Sequence, residues 1–267
     1  MNRTLMGQRW SLKRFVPLAE IELIALFSEG RTLVSSLLLE PVVQFVLLAA
    51  GLQGLIGGGD NFYGEHSYLA FVLPGLIILQ ALRGFSRTMY RTVLDRQWGM
   101  LTVKRLAGSG AAGYALSKIV APIIALLVQA VVLIALATAM GVRLSVSNSI
   151  LALAFGGIAV GFWAAIAIVV TGFVRDYVVR DMVVTWMMLP LSLSAPVFYQ
   201  LDTAPTYLQW IARFNPLAWQ VEALRSMLLD GAFSSTALVT IAMAIVAMVA
   251  AIFSVSWGDA LASEGGR

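Results

Sequence analysis

The sequence predicts an all-α membrane protein that crosses the bilayer six times. Hydrophobic residues make up 60% of the 267 residues and charged residues only 12%, about half of the quarter that soluble domains carry. The mean hydropathy is +0.86, and several apolar runs are continuous over about twenty residues, the length of a membrane helix. A membrane β-barrel would instead need shorter segments of alternating polarity. Composition and pattern both indicate a polytopic helical protein.

The chain begins with a predicted cytoplasmic segment, residues 1–32, that contains an amphipathic helix. Between residues 10 and 30, apolar side chains fall on one helical face: Leu12, Phe15, Val16, Ala19, Leu23, Leu26 and Phe27. Lys13, Arg14 and Glu20 fall outside that face. The pattern predicts a helix lying at the membrane surface, and an ordinary cytoplasmic helix is equally compatible with it. Because the segment is charged throughout, no cleavable signal peptide is expected.

Six spans are predicted, at residues 33–56, 68–90, 113–140, 150–173, 182–198 and 235–257. Pro41 and Pro74 lie inside the first two spans, where proline removes a helical hydrogen bond, so both spans are expected to bend. Gly157 and Gly161 in the fourth span have the spacing that lets two helices approach closely. A cytoplasmic tail, residues 258–267, follows the last span.

Residues 203–230, between spans 5 and 6, are too polar to cross the bilayer and too apolar to form a free loop. They are predicted to form outer re-entrant helices. Asn215 is a good helix cap and Pro216 suits the first helical position, while Gly231 is placed to end the helix. One face of this helix is apolar and consists of Leu217, Val221, Leu224 and Leu228.

Orientation follows from the distribution of lysine and arginine, which favour the cytoplasmic side. Of the 18 basic residues, 15 fall in the N-terminal segment, in the connection between spans 2 and 3 and the adjoining ends of those spans, in the connection between spans 4 and 5, and in the tail. The other three are Arg143, Arg213 and Arg225. This split predicts a multi-pass membrane protein with both termini cytoplasmic. It also explains the net charge of +4 without a nucleic-acid partner.

The chain lacks the residues that several kinds of chemistry need. A Walker A loop has glycine directly before its lysine, but Lys13, Lys104 and Lys118 follow Leu, Val and Ser. With no cysteine and His66 as the only histidine, a histidine- or cysteine-rich metal site is excluded. The chain is therefore expected to bind no cofactor directly and to have no catalytic residues. An intramembrane enzyme would have to be built on His66 or Glu40.

Two regions resemble the ABC-2 family of export permeases. The first is the connection between spans 2 and 3, residues 91–112, where residues 95–101 are followed by Lys104, Arg105 and Leu106. The second combines residues 189–198 with Asn215-Pro216-Leu217 and the sequence up to Arg225. These regions are similar to the cytoplasmic loop of the family and to its fifth span with an outer Asn-Pro-Leu signature. Gln97 stands where the family often has an acidic residue.

The resemblance implies partners and a coupling element. Two permease subunits would pair, as a homodimer in preference to a heterodimer. Two ATPase subunits carrying ATP and Mg²⁺ would dock beneath them. Residues 93–100 would form the coupling helix, ended by Gly99. Its contact residues would be Asp95, Arg96, Gln97, Trp98 and Gly99. The alternative is that Trp98 is an interfacial aromatic residue and the arginines only fix topology.

The family also implies a substrate path between spans 1, 2 and 5 of the two subunits. Its candidate lining residues are Gln44, Phe45, Gln80, Trp186, Met187 and Phe198, although each could equally pack between helices or face lipid. The hypothesis is an ABC exporter of an amphipathic drug, lipid or antibiotic-like molecule. Export of a lipid-linked polysaccharide is the nearest alternative. An ion-coupled carrier, which would depend on Glu40 in the transport path, is the rival from another class.

Overall fold

The computed structural model describes residues 15–28, 35–56, 66–104, 109–174 and 176–264, and in them all regular elements are helical. Helix α1 is Phe15–Phe27, and α2 is a run of alternating π and α geometry, Ser35–Leu39, Glu40–Val43, Gln44–Ala50 and Gly51–Ile56. Then follow α3 (Tyr68–Gln97), α4 (Met100–Lys104), α5 (Gly110–Ala139), α6 (Val146–Val170) and α7 (Tyr177–Ser194). The last three are α8 (Thr206–Phe214), α9 (Pro216–Arg225) and α10 (Ser235–Glu264).

Five helical segments among the described residues are long and apolar enough to cross a membrane. They are Leu37–Gly54, Tyr68–Gln97, Gly110–Ala139, Val146–Val170 and Ser235–Trp257. They correspond to predicted spans 1, 2, 3, 4 and 6. The predicted fifth span lies in α7, which is helical but contains Arg180 and Asp181 within its 18 residues. The sixth crossing stays a prediction.

Helix α6 lies at the centre of the bundle and packs against α3, α5 and α10. The closest approach is between α3 and α6, where a Cβ on Gly84 would lie 2.5 Å from Val160 Cγ2. Only glycine allows this distance. By contrast, Gly157 has no neighbour within 4 Å of an ideal Cβ, and Gly161 meets only Ile119 at 3.6 Å. Within a single chain, Gly157 therefore makes no close helix contact, and Gly161 makes an ordinary van der Waals contact.

Helices α2 and α7 lie at the side of the bundle, and both contact α3. The start of α7 is held to α3 by Arg180, whose Nη2 donates to the Ser86 carbonyl (3.2 Å) and hydroxyl (3.1 Å). Much of α7 is otherwise exposed, and its apolar exposed residues follow helical spacing. They are Val178, Met182, Trp186, Leu189 and Leu193. Such a face needs lipid or protein to cover it.

We name one end of the bundle, where α3 ends and α5 begins, the basic end, because Arg91, Arg96, Lys104 and Lys118 lie there. The predicted connection at residues 91–112 is mostly helical. Helix α3 continues seven residues beyond the predicted end of span 2, because no glycine or proline occurs between residue 90 and Gly99. As predicted, Gly99 ends this helix, with φ +68°, and α4 follows at once. Arg105 and Leu106 lie outside the described residues. Helix α10 also extends through part of the predicted tail.

Helix α1 lies on α5 at the basic end, but its faces differ from the prediction. Leu18, Ala19 and Glu22 are buried, whereas Val16, Ile21, Ile24 and Phe27 are exposed. The apolar residues that were expected on one face are thus divided between the two sides. The helix buries a carboxylate against the bundle and exposes an apolar surface, as expected for a helix that lies on a membrane. Leu12, Lys13 and Arg14 lie outside the described residues.

At the far end of the bundle, opposite the basic end, the predicted helix start is confirmed. Asn215 Oδ1 accepts from Leu217 N (2.9 Å) to cap α9, and Asn215 Nδ2 donates to Ser194 Oγ (2.9 Å) at the end of α7. The predicted apolar face is buried, and a left-handed Gly231 (φ +65°) ends the following π turn, Ser226–Asp230. The cap thus joins α9 to α7.

Two polar contacts attach α9 to the core at this far end. Trp163 Nε1 in α6 donates to Gln220 Oε1 (2.8 Å), and both side chains are buried. Arg225 Nη2 donates to the Pro196 carbonyl (2.9 Å), and its guanidinium lies 3.8 Å from the centre of the Phe71 ring. These side chains fix α9 against α3 and α6.

Candidate functional site

A group of charged side chains lies where α1, α3, α4 and α5 meet, at the basic end, with two of them buried and three partly buried. We name Glu22, Arg91, Asp95, Lys104 and Lys118 the buried charge cluster. Lys118 Nζ lies 2.6 Å from both Glu22 Oε1 and Asp95 Oδ2, and its side chain is 1% exposed. Because buried charges are stable only when paired, the cluster ties the four helices together.

The remaining contacts of the cluster satisfy both carboxylates. Arg91 Nε donates to Glu22 Oε2 (2.9 Å), and Lys104 Nζ donates to Asp95 Oδ2 (2.9 Å). The Tyr114 hydroxyl donates to the same Asp95 oxygen (2.9 Å). Each carboxylate therefore has at least two cationic partners.

The electrostatics of the cluster favour the ionised form of Glu22. Burial alone would raise the pKa of this carboxyl group, but Lys118, Lys104 and Arg91 together outweigh burial and hold the pKa below its ordinary value. Glu22 is therefore an anion at neutral pH, and its contacts are charge-assisted hydrogen bonds.

Next to the cluster, the turn between α3 and α4 forms an exposed tip. Trp98 is 73% exposed, Met100 45% and Val103 58%. Gln97 and Gly99 are also exposed, while Arg96 is half-buried. Large apolar side chains that project from the end of a long helix, beside a rigid charged core, are typical of a protein contact site.

A second feature is a cavity of about 360 Å³ between α2, α3 and α7. Apolar side chains form most of its wall, including Leu79, Leu82, Met188 and Phe198. Its polar groups include Gln44, whose buried Oε1 has no hydrogen-bond partner among the described residues. Arg83 also lines the cavity and forms an ion pair with Glu40. A mainly apolar wall with a few polar groups is the usual composition of a small-molecule site.

The structure distributes the predicted path residues over different environments. Gln44 and Phe198 line this cavity. Gln80 is buried beside it, where its Oε1 accepts from Arg83 Nη1 (3.3 Å). Phe45 is fully buried in the core, Met187 packs against that core, and Trp186 is 75% exposed on α7. The six residues therefore do not form one surface within a single chain.

The five predicted coupling residues also divide into two groups. Gln97, Trp98 and Gly99 lie in the exposed tip, whereas Arg96 is half-buried and the Asp95 carboxylate points into the buried charge cluster. Sequence reasoning missed Glu22 and Lys118. Lys118 carries a usable signal, because a lysine inside an apolar run needs a charged partner. Glu22, within the amphipathic helix, is a carboxylate available for that role.

His66 and Glu40, on which an intramembrane enzyme or an ion-coupled carrier would depend, have separate partners. His66 Nε2 lies 3.6 Å from Asp230 Oδ1 at the far end. Glu40 pairs with Arg83 beside the cavity. In the described part of the chain, no group of three or more possible metal ligands occurs.

The bundle, with five membrane-length helices among its described residues, defines a multi-pass helical membrane protein. The family model for ABC-2 type transporters matches residues 22–229, more than three quarters of the chain. The chain therefore belongs to the ABC-2 type transporter family, as the motifs predicted. It is a transmembrane component of an ABC transporter, a class that is generally non-catalytic and normally works with an ATPase subunit. Comparison with curated proteins gives no match to this chain.

Proposed function

We propose that this chain is the permease subunit of a bacterial ABC exporter in the inner membrane, with both termini in the cytoplasm. The observation that carries the proposal is the exposed tip at the basic end, where Trp98 presents most of its surface to solvent. Tryptophan is among the residues that contribute most to binding at protein interfaces. A pair of ATPase subunits, which hold ATP and Mg²⁺, would receive this tip in a groove.

The buried charge cluster would convert movement of the tip into movement of the bundle. Asp95 lies in α3 just before the tip and Lys104 in α4 just after it, and their ion pair (2.9 Å) closes the turn. Both side chains then connect to α1 or α5 through Glu22 and Lys118. A push on the tip would therefore move α1, α3 and α5 together, which is the rigid-body type of transition.

The substrate would pass along the cavity between α2, α3 and α7. Its wall is mainly apolar, and the charge of Arg83 is balanced by Glu40. This composition favours an amphipathic drug, lipid or antibiotic-like molecule. A second copy of the permease would cover the exposed apolar face of α7, so that Trp186 of each copy lies near the shared path.

The test is co-purification with candidate ABC ATPase subunits, followed by ATP turnover and outward transport in proteoliposomes. The Trp98→Ala substitution should weaken ATPase binding about 30-fold, the effect of an interface hot spot of about 2 kcal/mol. Trp210→Ala is the matched control, because Trp210 is 56% exposed in α8 at the far end. Equal ATPase binding by both variants, or transport by the wild type without any ATPase, would contradict the proposal.

The same preparation tests the pairing of permeases. The chain contains no cysteine, so a single Trp186→Cys variant reports on α7 without background. We expect a disulfide between two copies under oxidising conditions, and none from an exposed control such as Phe233→Cys, which lies just before α10. If both variants cross-link equally, α7 is not the specific contact.

A further inference from the structure

A second cavity, of about 230 Å³, lies at the basic end between α1, α2, α3 and α5. Its polar wall contains the cationic side chains of Arg87, Arg91 and Lys118 and a single carboxylate, that of Glu22. The lining therefore carries three formal positive charges and one negative charge, and Asp95, 2.6 Å from Lys118 Nζ, offsets part of the excess. A cavity with such an excess of positive charge favours an anionic ligand.

One polar group in this wall has no partner within the protein. The Thr88 side chain is 2% exposed and lines the cavity, and its hydroxyl has no hydrogen-bond partner among the described residues. Buried hydroxyl groups are nearly always hydrogen-bonded, because an unmade bond costs about 1–3 kcal/mol. The hydroxyl is thus available to donate to a ligand oxygen beside the cationic groups.

Much of the remaining lining of the cavity is apolar. It is formed by Leu26 of α1, Leu37 of α2, and Ala121, Pro122 and Ala125 of α5. The cavity also lies beneath α1, whose outer face exposes Val16, Ile21 and Ile24 as a surface suited to lipid. The ligand must therefore be anionic at one end and apolar at the other.

We infer that this cavity binds the phosphate headgroup of an anionic phospholipid from the membrane leaflet at the basic end. Its volume equals that of about eight water molecules at ~30 Å³ each, which holds a phosphate group and the first atoms of its ester. The acyl chains would continue along the apolar wall into the bilayer. Arg87 and Arg91 suit the phosphate, because guanidinium groups bind phosphate oxygens in pairs. The site is separate from the cavity between α2, α3 and α7.

The test is native mass spectrometry of the full chain in neutral detergent with added dioleoylphosphatidylglycerol or dioleoylphosphatidylcholine. The two lipids share their acyl chains and differ in headgroup charge. We expect the wild type to bind phosphatidylglycerol at least about tenfold more tightly, the effect of one charged hydrogen bond. Equal binding of the two lipids would overturn the inference.

Substitutions then locate the site. Arg87→Gln should reduce phosphatidylglycerol affinity about tenfold. Thr88→Val, which keeps the shape of the side chain and every charge, should reduce it about threefold to tenfold. Their controls, Arg143→Gln and Thr138→Val, alter exposed residues away from the cavity and should leave the affinity unchanged. Losses that are the same for a cavity variant and its control would refute the assignment.

A competition with inorganic phosphate separates a lipid site from a free-anion site. Because the apolar wall contributes to binding only when acyl chains are present, millimolar phosphate should leave the bound phosphatidylglycerol in place. Displacement of the lipid by phosphate alone would show that the cavity selects a soluble anion, contrary to the inference. The Thr88→Val variant is included in this competition as well. The substitution changes no charged residue, so a loss of lipid affinity cannot be attributed to the buried charge cluster.

Discussion

The Glu22 carboxylate should be the most important single group for holding α1 on the bundle. Its side chain is 2% exposed and contacts Lys118 Nζ at 2.6 Å, Arg91 Nε at 2.9 Å and Lys104 Nζ at 3.3 Å. The Glu22→Gln substitution keeps the size of the side chain but removes the charge that these cations share. Lys118, with 1% of its side chain exposed, cannot turn toward water instead.

The size of the effect follows from the contacts that remain. Removing one partner of a buried ion pair costs about 3–5 kcal/mol. Here Asp95 still lies 2.6 Å from Lys118 Nζ, so we expect the lower end, about 3 kcal/mol. For a chain of this length, such a loss lowers the melting temperature by about 6–12 °C.

The assay is thermal unfolding of the purified protein in detergent, together with limited proteolysis of α1. The matched control is Glu20→Gln, the same change on the exposed face of the same helix. A double variant, Glu22→Gln with Lys118→Met, should be more stable than the sum of the single changes by about 1–3 kcal/mol, because it also removes the buried cation that has lost one of its two carboxylate partners. If Glu22→Gln and Glu20→Gln differ by less than about 0.5 kcal/mol, the buried cluster does not hold the helix.

Three further predictions concern pH, packing and the tip. The pKa of Glu22 is lowered in the folded protein. Its contribution to stability is therefore present above about pH 4.3 and is lost as the pH falls below that value. The difference in melting temperature between the wild type and Glu22→Gln should stay constant down to about pH 5 and disappear in stronger acid. Gly84→Ala should destabilise the protein by about 1–3 kcal/mol, since its Cβ would lie 2.5 Å from Val160, and Val160→Ala should reverse most of the loss. Gly157→Ala, where a Cβ meets no neighbour within 4 Å, should be neutral or stabilising by up to about 1 kcal/mol, so equal losses at the two glycines would refute the packing argument. Trp98→Ala should leave the melting temperature within about 2 °C of the wild type, because the side chain is 73% exposed, and a larger decrease would show that Trp98 supports the fold.

The parts of the fold that were predictable from the sequence are those fixed by local chemistry. Asn215 and Pro216 begin α9 because a capping side chain and a fixed φ angle act within one helical turn. The buried face of α9 follows from residue spacing alone, and five of the six predicted spans correspond to membrane-length helices. The family match over residues 22–229 agrees with the motifs.

The parts that were not predictable depend on contacts between distant residues. Glu22 and Lys118 are 96 residues apart in the sequence, so a local analysis can indicate that Lys118 needs a charged partner but not that Glu22 is that partner. The faces of α1 were predicted from the spacing of its apolar residues, and that spacing does not show which side contacts the bundle. Lipid accepts the exposed apolar side, and cations in the bundle accept the charge of Glu22. The close contact at Gly84 likewise depends on Val160 in another helix.

The positions of Asp95 and Trp98 show why neighbours in one motif can have different roles. Asp95 and Trp98 are three positions apart, almost one helical turn, with Asp95 in the last turn of α3 and Trp98 directly after its end. The Asp95 carboxylate accepts from Lys104, Lys118 and Tyr114 and is occupied within the protein. The Trp98 ring has no comparable burial and is available to a partner. An interface that transmits force needs an exposed contact residue on a support that does not rearrange, because local rearrangement would cost part of the binding energy gained at the tip. Here the exposed aromatic ring would be the contact, and the fully paired carboxylate belongs to the support. In the proposed function, Trp98 would be the contact residue and Asp95 the residue that positions it.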